Sequence, residues 1–366
     1  MASFLNDFGS DIIYPVWPLF VTSVLGANMA VLGFIDGLGE AVVSLSQAGS
    51  GYLSDKFRKR KIFIWTGYLF GALSRIGYAL STTWQYIVPI RVLDRMGKIR
   101  GAPRDAIVAD LSTDENRGRN FGLLRAMDNL GAVCGIIFCI VFFNLGYKTL
   151  FLIAAVPSLI AAAVILAVIK ENRTSGVKIF KGLSARDLNR DFRIFLILSS
   201  VFALGNFSYS FLLLYANAAG VEHSSIPVMY LVFTAVAAAG SYSFGKLSDK
   251  FGRKTLMFVS FLLWIGIAIG FMVIKTYIGI VAIFIVYGLH KAAIEPVQKT
   301  MVAELAPTAY RSSALGLFQM VIGLCAFPAS LFAGLLWENV NMFAPLYFTV
   351  ILTVVSTVML LFIDKK

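Results

Sequence analysis

One phrase occurs twice in this chain, and it divides the sequence into two related halves. Residues 51–61 read GYLSDKFRKRK, and residues 245–255 read GKLSDKFGRKT. The aspartates of the two copies, Asp55 and Asp249, are separated by 194 positions. The same offset aligns further pairs, namely Asp110-Leu111 with Glu304-Leu305, Arg117 with Arg311, and Gly122 with Gly316. The chain therefore reads as two tandem copies of one folding unit.

The composition is too apolar for a water-soluble protein. Hydrophobic residues make up 58% of the 366 residues and charged residues only 14%, whereas soluble domains carry about 25% charged residues. Apolar runs long enough to cross a bilayer as helices recur between short polar breaks. They predict twelve transmembrane helices, near residues 4–27, 31–53, 61–80, 84–111, 117–143, 147–170, 191–217, 225–247, 255–275, 277–304, 310–336 and 342–363.

The distribution of the net charge of +12 predicts the orientation of these helices. Lysines and arginines concentrate in alternate loops and in the central connection, which is the positive-inside pattern with both termini in the cytoplasm. We therefore expect an all-α, multi-pass protein of the cytoplasmic membrane that binds no nucleic acid. It would consist of a six-helix bundle over 1–170, a basic cytoplasmic linker over 171–190, and a second six-helix bundle over 191–366.

The repeated phrase resembles the loop motif of the major facilitator superfamily, Gly-x-Leu-small-Asp-basic-aromatic-Gly-Arg-basic, which follows the second helix of that family. Residues 245–254 match throughout, whereas the first copy has Arg58 in place of Gly and Lys59 in place of Arg. The resemblance covers the whole chain and implies a secondary transporter whose two halves rock about a central site. It also implies that the motif holds the cytoplasmic gate shut, through Gly51, Asp55, Lys59, Arg60, Gly245, Asp249, Arg253 and Lys254.

The fourth predicted helix carries an unusual density of charge for a segment that crosses a membrane. It reads RVLDRMGKIRGAPRDAIVAD over residues 91–110. Charges at bilayer depth cost several kcal/mol (about 3 per residue) unless they are paired or hydrated, so they mark pathways by default. On a helix, Arg91, Arg95 and Lys98 share one face, with Asp94 beside it. The resemblance implies that the buried Arg91 takes part in substrate or proton coupling.

Acidic partners for these cations lie in the same half of the chain. The candidates for substrate binding or coupling there are Asp11, Asp36, Glu40, Arg125 and Asp128. A carboxylate beside an arginine stays ionised, whereas one that faces apolar walls shifts toward neutrality, and this contrast can create a proton-carrying site. The alternative is a static network of ion pairs that fixes helix packing. We expect Asp36 or Glu40 to be the titrating acid.

The second half is less charged and more aromatic. Its tenth helix carries His290, Lys291 and Glu295, which are further candidates for the coupling site. Lys291 and Glu295 are also spaced to form a simple ion pair. Phe207, Tyr209, Phe211, Tyr215 and Trp264 are candidates for an apolar wall. In the fifth helix, Gly131 and Gly135 have the spacing that permits close helix packing, but Ile136 stands where antiporters of the family have proline.

These features predict a proton-coupled secondary transporter that works by alternating access, with sodium as the alternative coupling ion. The excess of basic side chains favours a small organic anion or a metal chelate as substrate. An exporter of lipophilic drugs and a non-transporting membrane sensor or scaffold are the alternatives. No nucleophile–base pair, phosphate loop or metal-ligand spacing indicates an enzyme, a cofactor or a bound metal. We expect the protein to act as a monomer in the lipid bilayer.

Overall fold

A computed structural model describes residues 1–57, 59–110, 117–169, 189–305 and 311–363. The described residues of the first half form helices that follow the predicted spans. Their bounds are α1 Ala2–Ile13, α2 Trp17–Leu19, α3 Met29–Phe57, α4 Lys61–Leu80, α5 Trp84–Met96, α6 Gly101–Asp110, α7 Arg117–Val141 and α8 Tyr147–Val168. A π-helical turn, Phe20–Val24, continues α2, and a 3₁₀ turn, Gly97–Arg100, joins α5 to α6.

The second half repeats this pattern of long helices. Their bounds are α9 Arg190–Leu204, α10 Tyr209–Ala218, α11 Ile226–Phe251, α12 Arg253–Val273, α13 Tyr277–Leu305, α14 Arg311–Asn339 and α15 Ala344–Leu360. Seven stretches of the described chain are long and apolar enough to cross a membrane by length and composition. The prediction of an all-helical membrane protein is therefore confirmed, whereas the number of twelve crossings and the cytoplasmic termini stay predictions.

Local chemistry explains where several of these helices begin and break. Pro15 cannot donate a backbone hydrogen bond, and α1 ends just before it, at Ile13. The side chain of Asn189 caps α9 by accepting a hydrogen bond from the Phe192 amide at 2.7 Å. Gly252 separates α11 from α12 with a φ of +88°, a conformation that glycine adopts without strain. The second copy of the repeated phrase thus uses its glycine for a left-handed turn, while Arg58 of the first copy lies outside the described residues.

The described chain divides into two compact units, and the division cuts through α3. The first unit comprises residues 1–27 and 38–179, and the second comprises residues 28–37 and 180–366. The first nine residues of α3, about two and a half turns, thus belong to the same unit as the helices of the C-terminal half. The predicted linker, 171–190, lies almost wholly outside the described residues, so its position stays a prediction.

Small residues bring helices together inside the first unit. A Cβ atom added to Gly131 would lie 2.4 Å from the Phe4 carbonyl oxygen, and one added to Gly135 would lie 2.2 Å from the Phe8 carbonyl oxygen. The backbones of α1 and α7 therefore touch at these glycines, which confirms the close packing that their spacing predicts. This contact fixes α1, whose polar face forms one side of the candidate site.

Candidate functional site

Successive basic side chains of the fourth predicted span contact successive residues of the first predicted span. From the middle of the span toward its end, they contact residues progressively nearer the N-terminus of α1. The pairs are Arg91 with Trp17, Arg95 with Tyr14, Arg100 with Asp7, and Arg104 with Ser3 and Asp128. The antiparallel pairing turns one stripe of the sequence into a polar seam inside the first unit.

The deeper part of this seam is a cluster of two cations, one carboxylate and two aromatic rings. We call Tyr14, Trp17, Arg91, Asp94 and Arg95 the arginine cluster. The guanidinium carbon of Arg91 lies 4.0 Å from the centre of the Trp17 ring, which is a favourable cation–π distance. Arg95 donates to the Tyr14 hydroxyl at 3.2 Å. The Asp94 Oδ2 atom lies 3.8 Å from both Arg91 Nη1 and Arg95 Nε.

Positive charge dominates the surroundings of the arginine cluster. Arg75 and Lys98 also act electrostatically on the Asp94 carboxylate, whose Oδ1 atom accepts a hydrogen bond from Ser74 Oγ at 3.2 Å. Asp11 of α1, three residues before Tyr14 in the sequence, is also buried. Arg91 is 2% exposed and Arg95 6% exposed, so a solute reaches them only after the surrounding helices rearrange.

Arg75 of α4 is held in a different way, by neutral oxygens from two other helices. Its guanidinium donates to the Ala154 carbonyl oxygen at 2.8 Å, to the Asn6 carbonyl oxygen at 3.1 Å and to Ser10 Oγ at 2.7 Å, and it also bonds to Ser158. Arg75 is 2% exposed. These bonds tie α1, α4 and α8 together behind the arginine cluster and hold one buried cation in a fixed position.

The shallower part of the seam is more nearly balanced in charge. Arg104 Nη1 lies 3.4 Å from the Asp128 carboxylate and donates to Ser3 Oγ at 2.5 Å, while Ser3 in turn donates to Asp128. Arg100 Nη2 lies 3.8 Å from Asp7 Oδ1. These contacts join α1, α6 and α7, and whether they form a static network or part of the coupling site stays a prediction. The side chain of Arg125, predicted to belong to the same group, lies outside the described side chains.

The two acids predicted to titrate lie in different surroundings. Asp36 is 3% exposed and accepts hydrogen bonds from two serines of the second unit, whereas Glu40 is exposed. Both serines, Ser208 and Ser210, lie about 170 positions along the chain from Asp36, and nothing in the sequence singles them out. Sequence analysis also missed Tyr14 and Trp17, which lie between α1 and α2 and at the start of α2. Two aromatic residues three positions apart in the span that faces the basic span were a signal that could have identified them.

His290 lies in the core of the second unit, apart from the charged pair beside it in sequence. Its Nδ1 atom is 2.9 Å from the Ser260 carbonyl oxygen, which can only accept, so Nδ1 carries the proton in the neutral ring. The ring stacks on Trp264 with centroids 5.1 Å apart. Lys291 Nζ and Glu295 Oε1 form the ion pair that their spacing allows, at 3.5 Å. The predicted aromatic wall, including Phe211, Tyr215 and Trp264, is buried packing within this unit.

The repeated phrase makes the same local bond in both halves. Ser54 Oγ donates to the Gly51 carbonyl oxygen at 3.0 Å, and Ser248 Oγ donates to the Gly245 carbonyl oxygen at 2.7 Å. In the second half, Arg253 Nε also lies 3.2 Å from Glu304 Oε1 and thus joins α12 to the end of α13. Lys59 is exposed and Arg60 half-buried. The side chains of Asp55 and Asp249 lie outside those described, so their gating role stays a prediction.

Comparison with known proteins agrees with the helical repeat and the motif. The sequence profile of the Major Facilitator Superfamily matches residues 1–240 and again residues 193–366. The chain belongs to this superfamily. An uncharacterized MFS-type transporter of Methanocaldococcus jannaschii is 35% identical over 99% of this chain and 93% of its own length. The quinolone resistance protein NorA of Staphylococcus aureus is 23% identical over 99% of this chain and 94% of its own length.

A solved structure has the same fold. A bacterial homologue of the human lysosomal transporter Spinster, in an inward-facing and occupied conformation, superimposes with a TM-score of 0.79 and 14% identity. The superposition covers 99% of this chain and 94% of that one. The fold is thus that of superfamily transporters, which are not enzymes, and the chain is a multi-pass membrane protein. Its substrate and coupling ion are matters for proposal.

Proposed function

We propose that the protein is a proton-coupled secondary transporter of a small organic anion or metal chelate in the cytoplasmic membrane. The observation that carries this proposal is the arginine cluster, in which Arg91 and Arg95 are buried side by side and each lies 3.8 Å from the Asp94 carboxylate. The two bundles would expose the cluster alternately to either side of the membrane, with both chain termini in the cytoplasm. Export is the proposed direction, and an ion gradient rather than a catalytic reaction supplies the energy.

Buried cations favour an anionic solute for a physical reason. Holding Arg91 and Arg95 out of water carries a desolvation cost, and charge-assisted bonds to a bound anion would offset part of that cost. A carboxylate of the solute could receive parallel bonds from a guanidinium, a geometry that a lysine cannot provide. The Trp17 ring beside Arg91 also offers an apolar face to the carbon skeleton of the solute.

A thermal-shift screen of the purified protein in detergent tests the anion proposal. The probes are citrate, benzoate and ferric citrate as anions, and tetraphenylphosphonium and ethidium as lipophilic cations. A ligand at about 100 times its Kd stabilises the folded state by about 2.7 kcal/mol. We expect an anion to raise the unfolding temperature of the wild type and of Lys148→Ala, a control at an exposed lysine of the same unit. Arg91→Ala and Arg95→Ala should lose this stabilisation.

The opposite pattern favours the second candidate function, export of lipophilic compounds. The similarity to the quinolone resistance protein supports that candidate. Stabilisation by tetraphenylphosphonium or ethidium that survives Arg91→Ala would contradict the anion proposal and favour drug export. A sensor or scaffold would bind a probe without transporting it, and the flux measurement that closes the Discussion separates that third possibility from a transporter.

A further inference from the structure

The start of α3 is locked into the second unit by contacts between backbones. A Cβ atom added to Gly33 would lie 2.1 Å from the Ser330 carbonyl oxygen, and one added to Gly37 would lie 2.6 Å from the Phe327 carbonyl oxygen. A Cβ on Gly334 of α14 would lie 2.2 Å from the Met29 carbonyl oxygen. Three glycines therefore let residues 28–37 run antiparallel against α14, with no side chain between the two backbones.

A buried acid stands at the centre of this contact. Asp36 Oδ2 accepts hydrogen bonds from Ser208 Oγ at 2.8 Å and from Ser210 Oγ at 2.5 Å. Ser208 lies in the break between α9 and α10 and caps the start of α10, and Ser210 lies in the first turn of α10. The Ser208 amide also donates to Ser330 Oγ at 3.2 Å. Three side-chain oxygens thus converge where a helix is interrupted, which is where secondary transporters hold coupling ions.

We propose that Asp36, Ser208 and Ser210 form the coupling-ion site of this transporter, and that the ion is a proton carried by the Asp36 carboxylate. This inference rests on the proposed transport function and adds the site of the ion to it. Both serines donate to the same oxygen of the Asp36 carboxylate, and these bonds help to hold residues 28–37 against the start of α10. Binding of a proton converts two charge-assisted bonds into weaker neutral ones, so the protonated state releases this segment more readily.

The ionisable groups around this site are few in the described neighbourhood. Tyr209 lies between the two serines in sequence, and Glu338 of α14 accepts a hydrogen bond from the Met29 amide at 3.3 Å. On α3 itself, Glu40 follows one turn later and is exposed. The arginines of α9 and α14 lie near the far ends of those helices, more than ten residues from the break and from Ser330. Because Glu338 itself bonds the start of α3, the carboxylate control is Glu222, which is exposed in the same unit.

The same turn of α3 also touches the arginine cluster within the first unit. A Cβ atom added to Gly39 would lie 3.2 Å from Arg95 Cγ and 3.5 Å from Arg91 Nε. Asp36 and Gly39 are three residues apart, which is less than one helical turn. A shift of α3 that follows protonation of Asp36 would therefore also move the backbone beside Arg91 and Arg95. In this proposal α3 links the proton site to the anion site.

Cross-linking tests the proton site without any knowledge of the substrate. Phe34 and Phe327 face each other across the contact, with ring centroids 5.9 Å apart. Both are replaced by cysteine in a chain whose native Cys134, Cys139 and Cys325 are changed to alanine. The probe is a short bis-methanethiosulfonate, and yields are normalised to a control pair, Phe195→Cys with Phe318→Cys, whose rings lie 5.6 Å apart in the same unit.

We expect the normalised cross-linking yield to fall about fivefold from pH 8 to pH 5. Protonation of Asp36 should weaken its contact with the two serines by roughly the free energy of one hydrogen bond. Asp36→Asn should show the low yield at every pH, and Ser208→Ala/Ser210→Ala should lower the yield at pH 8. Glu222→Gln should behave as the wild type. The yield at pH 8 should not respond to replacing choline chloride with sodium chloride.

Three results would overturn the proposal. They are a yield independent of pH in the wild type, an unchanged pH response in Asp36→Asn, and a sodium response at pH 8 that Asp36→Asn abolishes, which would assign the site to sodium instead. The serine variants keep the test valid if Asp36→Asn does not fold. The cross-linking measurement uses no substrate, so a negative result would contradict the proton site but not the anion proposal. A negative result in the thermal-shift screen would likewise leave the cross-linking result interpretable.

Discussion

At the scale of single residues, the burial of charge determines what this protein can bind. Arg91, Arg95 and Arg75 are all nearly inaccessible, yet they are stabilised differently. The first two contact aromatic rings and share one carboxylate, whereas Arg75 is surrounded by neutral oxygens of the chain itself. We propose that Arg91 and Arg95 bind the solute and that Arg75 is a positioning residue.

Replacement of Arg75 by glutamine should therefore destabilise the protein. The shorter amide cannot reach the acceptors on α1 and α8, and each buried acceptor left without a partner costs about 1–3 kcal/mol. We expect the apparent unfolding temperature in detergent to fall by several degrees. Lys148→Gln removes an exposed cation of the same unit and should leave that temperature unchanged. An unfolding temperature that does not fall in Arg75→Gln would refute the structural role of the arginine.

At the scale of helices, small residues decide which elements approach closely. Gly135→Ala should lower the unfolding temperature, because its Cβ atom would overlap the Phe8 carbonyl oxygen. A backbone atom cannot move aside as a flexible side chain can, so we expect the free energy of unfolding to fall by about 1–3 kcal/mol. Gly266→Ala is the matched control, since an added Cβ there meets nothing within 4 Å and alanine favours the helix. Equal effects of the two substitutions would contradict the packing of α1 on α7.

The helices were predictable from the sequence because each apolar run has the length of a membrane crossing. The close contact at Gly131 and Gly135 was also predictable, since its spacing is short-range information within one helix. The partners of Asp36 were not, because Ser208 and Ser210 approach it only through the rotation of α3 and the break after α9. The neutral cage of Arg75 depends in the same way on how three helices are rotated about their axes, which hydrophobic patterns leave open.

At the scale of the whole molecule, the sequence repeat reappears as repeated architecture inside each unit. Lys61 donates to the Leu166 carbonyl oxygen at 2.7 Å and so links the start of α4 to the end of α8. Lys254 donates to the Leu361 and Ile363 carbonyl oxygens at 3.2 and 2.9 Å, just beyond the end of α15. In both halves a lysine thus satisfies carbonyls at a helix C-terminus, where a cation is favoured.

Replacement of Lys254 should destabilise the C-terminal end of α15. In Lys254→Gln we expect faster hydrogen–deuterium exchange at the amides of residues 358–363, by up to about fivefold for a lost interaction of about 0.3–1 kcal/mol. Lys250→Gln is the control, because Lys250 lies over the Phe251 ring at 5.4 Å rather than near the end of α15. Unchanged exchange in Lys254→Gln would show that the capping bond contributes nothing to the stability of this end.

The most direct test of the central claim is exchange of an anion across a membrane. The protein is reconstituted in liposomes loaded with the anion that gives the largest thermal shift, and uptake of the radiolabelled anion is followed. We predict exchange by the wild type and by Lys148→Ala, reduced at least about tenfold in Arg91→Ala, which corresponds to about 1.4 kcal/mol. Binding without exchange, or exchange that is equally fast in Arg91→Ala, would contradict transport through the arginine cluster.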